Sequence, residues 1–70
     1  MWEGKKMNKI LKAARVQRNL TQKELCKIVG IGLNTLVKLE KGDYSTLKYP
    51  IIIKLSAALN KTPQELFFLE

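Results

Sequence analysis

Two helix-boundary signals that lie close together fix most of what this chain can become. Thr21-Gln22-Lys23-Glu24 has the form of a capping box, in which the threonine hydroxyl accepts the amide three residues on and the glutamate reaches back to the threonine amide. Gly30, soon after, is the residue type that most cheaply takes the left-handed conformation that ends a helix. The helix between them is therefore short, with Leu25, Ile28 and Val29 turned inward. A further helix begins after Gly32 and runs over 33–41, where Gly42 stops it. Gly30-Ile31-Gly32 leaves room only for a sharp turn, so the two helices must cross against each other.

The flanking segments follow helical spacing too. Met7, Ile10, Leu11 and Ala14 share one face, and the pattern stops near Asn19. Pro50 suits the first turn of a fourth helix reaching about Leu59, because a proline there gives up no helical hydrogen bond. Ile51-Ile52-Ile53 is β-branched enough for a strand, but the leading proline and the following Leu55, Ala58 and Leu59 favour a buried helix. Thr62-Pro63-Gln64-Glu65 is a second capping box with proline at the first helical position, opening a short last helix that carries Leu66, Phe67, Phe68 and Leu69. Residues 1–6 lack apolar periodicity and read as a flexible arm, which leaves 7–70 as one all-α domain.

Composition then narrows the partners. A chain of 70 residues buries only about 60% of the surface its unfolded form exposes, so a partner subunit is expected. Thirteen Lys and Arg against six Asp and Glu give a net charge of +7, which points to an anionic partner, nucleic acid before any other. With no histidine and a single cysteine, the chain lacks the parts of a zinc site, a Ser-His-Asp triad or a Cys-His dyad, and no enzyme activity, metal, cofactor or small-molecule ligand is expected. Without a signal peptide or long apolar span, a cytoplasmic location and no membrane partner are expected.

Gln22, Cys26, Gly30, Ile31, Leu36 and Leu39 belong together. They ask for a capped helix, a small residue four positions in, a glycine turn four positions later, and a helix whose inner face starts with an aliphatic. This is the pattern of a helix-turn-helix, although spacing alone leaves a plain helical hairpin open. Over 10–68 the sequence resembles the Cro/C1-type (XRE) helix-turn-helix family of phage and bacterial repressors. The resemblance is carried by Leu20-Thr21-Gln22-Lys23-Glu24-Leu25, Gly30-Ile31, Leu36, Leu39-Glu40, Gly42, Ala58-Leu59 and Glu65-Leu66. Cys26 stands where that family usually has alanine, and Leu33 where a polar residue is common. The resemblance implies a compact five-helix, lambda-repressor-like domain whose second and third helices bind DNA, and an ion pair between Arg15 and Glu40.

At about 100° per residue, Asn34, Val37, Lys38 and Lys41 fall opposite Leu36 and Leu39. Asn34 has the groups to bond two atoms of adenine, Lys38 to reach guanine O6 and N7, and Leu33 to pack on a thymine methyl, with Thr35 at the edge of the same face as a fourth candidate for base contact. Gln22, at the start of the second helix, and Lys41, Tyr44, Ser45, Thr46 and Lys48, after the third, are candidates for the DNA backbone. Two adjacent phenylalanines on a short helix cannot both enter the core, so Ile51, Phe67, Phe68 and Leu69 are the candidate homodimer contacts. Cys26 reads as a small buried residue rather than a redox switch. The chain is expected to act as a dimeric repressor that occupies a near-palindromic double-stranded DNA operator. The alternatives are an antitoxin or mobile-element regulator of the same fold, and a protein-interaction module that does not bind DNA.

Overall fold

The structure, a computed structural model, describes residues 7–68. The proposed arm at 1–6 and the dimer contact at Leu69 lie outside the described residues. Five helices follow one another: α1 (Lys9–Gln17), α2 (Gln22–Val29), α3 (Leu33–Glu40), α4 (Tyr49–Leu59) and α5 (Gln64–Phe68), and no strand occurs among the described residues. α5 is a single wide turn of π type, which sets the adjacent Leu66 and Phe67 both inward.

The helix ends are fixed by local chemistry. Thr21 Oγ1 accepts from Glu24 N at 3.1 Å while Thr21 N donates to Glu24 Oε1 at 2.8 Å, and the Thr62–Glu65 pair repeats the arrangement. Four helices close on a left-handed residue: Asn19 (φ 59°), Gly30 (83°), Gly42 (89°) and Asn60 (54°). After α3, Gly42 N donates to Leu39 O and Asp43 N to Lys38 O, so the carbonyls that α3 leaves open are satisfied and the chain turns sharply into the 41–48 loop.

Leu11, Leu25, Leu36, Leu39, Leu55 and Leu66 are wholly buried and hold the five helices around one core. Each helix contributes one arc, and two arcs are rotated from the expected ones. In α2 it is Cys26 that turns inward with Leu25 and Val29, whereas Ile28 is 59% exposed. α2 packs on both α3 and α4, and the small side chain at 26 lets α3 approach from that side. In α1 the buried arc is Leu11, Ala14 and Arg15, with Met7 and Ile10 left exposed. The arc turns toward Arg15 because its guanidinium has a buried partner in α3.

α1 begins two residues later than its apolar pattern suggests, because Asn8 is its N-cap. Asn8 Oδ1 accepts from Leu11 N at 2.9 Å, and Nδ2 donates to Leu66 O at 2.7 Å and to Tyr44 Oη at 2.9 Å. Its backbone N donates to Glu40 O at 2.9 Å. One buried asparagine thus ties together the start of α1, the end of α3, the 41–48 loop and α5.

Candidate nucleic-acid interface

α3 is placed by its buried side. Leu36 and Leu39 are fully buried and Glu40 nearly so, which fixes the rotation of the helix and leaves the opposite side uncovered. Asn34, Lys38 and Lys41 are exposed on that side, and Thr35 and Val37 are half-buried at its edges. Among the described residues, no side-chain hydrogen bond or ion pair involves Asn34, Thr35, Lys38 or Lys41. Leu33, the first residue of α3, is 40% exposed.

Beneath this face lies a buried charge pair. Arg15 Nε donates to Glu40 Oε2 at 2.7 Å, and a second guanidinium nitrogen donates to Leu20 O at 2.8 Å. The other carboxylate oxygen of Glu40 accepts from Gln22 Nε2 at 3.0 Å. Glu40 is therefore satisfied from two sides, and Gln22 is held by α3 while standing at the N-terminus of α2. Gln22 and Lys41 line one shallow groove with Lys12, Val37 and the Arg15–Glu40 pair. This brings two of the sequence-derived backbone candidates together and adds Lys12, a lysine that the sequence marks only as part of a general positive charge. Its signal was its place one helical turn before the inward Arg15.

The loop after α3 divides its candidates. Lys41, Ser45, Thr46 and Lys48 are exposed. Ser45 N donates to Asp43 Oδ1 at 3.1 Å, which shapes the turn. Tyr44 is held differently: its hydroxyl accepts from Asn8, and its ring meets Phe67 edge to face with centroids 5.5 Å apart. Tyr44 thus anchors the loop to α5 and remains only 38% exposed. Of the four candidate dimer residues, Phe67 is drawn into the core, Phe68 is 63% exposed and Ile51 is half-buried. The wide turn of α5 decides between the two phenylalanines.

Burial, and then the nearby Glu40 carboxylate, push the Cys26 thiol up from its ordinary value. It stays protonated, and its S–H points to Gly32 O at 3.5 Å.

Comparisons with known proteins agree with this geometry. A family model described as Helix-turn-helix (HTH_3) matches residues 11–66. The fold is similar to that of the restriction-modification controller protein C.AhdI from Aeromonas hydrophila, with TM-score 0.74 and 28% identity over 86% of this chain and 89% of that one. It is also similar to a chain of the SinR–SinI protein complex, with TM-score 0.77, 19% identity and coverage of 89% of this chain and 60% of that one. Apo-HppE matches with TM-score 0.74 and 20% identity, over 86% of this chain but 33% of that one. The last two likenesses bear on the fold alone. No curated protein matches the sequence. Among the described residues no helix is long and apolar enough to cross a membrane.

Proposed function

This chain belongs to the HTH_3, Cro/C1-type helix-turn-helix family of DNA-binding regulators, and on that premise we propose that it is a dimeric repressor that binds a near-palindromic operator and acts by occupying it. The observation that carries the proposal is the outer side of α3, where Asn34, Lys38 and Lys41 stand exposed opposite the buried Leu36 and Leu39. A side chain with internal partners cannot serve a base without breaking them. These have none among the described residues, and their donors and acceptors match base edges.

α3 enters the major groove, with Leu33, Asn34, Thr35 and Lys38 meeting base edges. Gln22, Lys41, Tyr44, Ser45, Thr46 and Lys48 meet phosphates on either side and fix the register. The net charge of +7 supports a strong, salt-dependent attraction to that backbone. The similarity to a restriction-modification controller protein, spanning most of both chains, supports a controlling role for a domain of this size. Pairing is supported by the apolar surface at Phe68 and Ile51, with Leu69 as the next candidate.

Selecting bound duplexes from a random pool and titrating them by gel shift across salt tests the proposal. The expected result is a near-palindromic site whose half-sites lie about 34 Å apart. Recovery of no preferred sequence would contradict it.

A further inference from the structure

We infer that Asn8 is a positioning residue for DNA binding: it turns the Tyr44 hydroxyl so that its oxygen faces the protein and its hydrogen faces outward, to a phosphate of the DNA backbone. This rests on the DNA reading above, in which Tyr44 meets a phosphate, and adds the residue that aims that contact and the direction in which it runs.

The orientation follows from a count of donors and acceptors. The Asn8 side chain is buried and meets three groups. Leu11 N, at 2.9 Å, can only donate and so requires Oδ1; Leu66 O, at 2.7 Å, can only accept and so requires Nδ2. The amide therefore has one orientation, because a flip would set like groups against each other at both ends. The second hydrogen on Nδ2 goes to Tyr44 Oη at 2.9 Å, which makes the hydroxyl an acceptor on its inner side. A hydroxyl carries one hydrogen of its own, and among the described residues nothing accepts this one.

The ring holds the oxygen in place. Tyr44 meets Phe67 with centroids 5.5 Å apart and planes at 90°, so only the hydroxyl hydrogen is left to swing, and it must point away from Nδ2. Tyr44 is partly exposed, and Lys41, Ser45 and Thr46 near it in the loop are exposed. Asp43 N donates to Lys38 O at 2.8 Å, which ties the turn that carries Tyr44 to the helix whose outer side meets the bases. A phosphate oxygen is a charged acceptor with nothing to donate, so it matches a hydroxyl whose oxygen is engaged and whose hydrogen is free. Without Asn8 the hydroxyl could turn its lone pairs outward, and these repel a phosphate.

The test measures affinity for the selected duplex across salt in the parent, Tyr44→Phe, Asn8→Ser and the double variant. Serine still caps Leu11 N but is too short to span to Tyr44. Tyr44→Phe should weaken binding about tenfold, the order of a hydrogen bond to a charged group, and leave the salt slope unchanged because a hydroxyl carries no charge. Asn8→Ser should weaken it about threefold, and in the Tyr44→Phe chain should cost nothing further, whereas a merely structural role would add to the loss. Methylphosphonate placed at each phosphate in turn should find one position that weakens the parent and leaves Tyr44→Phe unaffected. Melting curves set an assay temperature at which each variant is folded, and Asn8→Gly, another tolerated cap, replaces Asn8→Ser if that chain has none. Tyr44→Phe binding as tightly as the parent overturns the inference and leaves the reading of bases by α3 standing. So do an Asn8→Ser chain that binds as the parent does, a loss that persists undiminished in the double variant, and a Tyr44→Phe loss that no methylphosphonate removes. Failure of the parent to select any duplex overturns both.

Discussion

Two regions of the bundle leave opposite kinds of surface uncovered. On α3 the uncovered side holds Asn34, Lys38 and Lys41; on α4 and α5 it holds Tyr49, Ile53 and Phe68, which are 72%, 42% and 63% exposed. Both regions obey one rule, that each helix buries a single arc, and they differ in what the sequence puts on the remainder. A cationic and amide-bearing remainder stays hydrated until a polyanion replaces the water. An apolar remainder is relieved only by another apolar surface. Within each region the division is sharp enough to separate neighbours: Leu39 from Lys38, and Phe67 from Phe68.

α5 sets a core ring beside a surface ring. Phe67→Ala should lower unfolding stability by about 3–5 kcal/mol, because it removes a ring from the core and from beneath Tyr44. Phe68→Asp should change the stability of the monomer by about 0.5 kcal/mol or less and instead abolish self-association at micromolar concentration in sedimentation. Equal losses of stability in urea unfolding would show that the two phenylalanines share one environment.

At α3 the matching contrast runs between its two sides. Glu40→Ala strands the Arg15 guanidinium and deprives Gln22 of its acceptor, and should cost about 3 kcal/mol in the same unfolding experiment. Lys61→Ala, far from that pair in sequence and at a side chain with no hydrogen bond or ion pair among the described residues, should stay within about 0.5 kcal/mol. Lys48→Ala should leave stability unchanged and flatten the salt dependence of DNA binding by about one unit of slope, equally for specific and random duplexes. A preference for one of the two duplexes would move Lys48 from the backbone to the bases.

The smallest expected effect sharpens the α5 side. Thr62 N, and then the Thr62 hydroxyl, interact with the Glu65 carboxylate in the capping box and hold it below the ordinary glutamate range. A carboxylate lowered on folding adds stability above its unfolded value, and that stability is lost as pH falls through the folded one. Glu65→Gln should therefore remove a small part of the acid loss of stability. Parallel melting-temperature profiles of parent and variant from neutral to acid pH would contradict that role.

Helix ends were legible in the sequence because their chemistry is local. Thr21, Gly30, Gly42 and Thr62 act on residues within a turn of themselves, and each stands where its residue type implies. Asn8 was not legible. Asparagine is a favoured cap, but the weight of this one comes from Leu66, 58 residues along the chain. Ile10 and Ile28 mislead for a related reason, since periodicity marks an apolar arc while neighbouring helices choose which part of it to bury. Tyr44 sits in a polar loop and reads as a phosphate donor, and its hydroxyl, which accepts from Asn8, keeps its hydrogen for that; the seating of its ring on Phe67 was not legible, because Phe67 lies on a helix distant in sequence. The outer side of α3 was legible because Leu36 and Leu39 fix the opposite side, and that relation lies within one helix.

The central claim is that this outer side reads bases. Affinity of the parent chain, Asn34→Ala and Lys38→Ala should be measured for the selected duplex and for a random duplex at one salt concentration. Each substitution should shrink the ratio of the two affinities by about 1–3 kcal/mol, with a much smaller change on random DNA. An unchanged ratio in both variants would contradict the placement of α3 in the groove.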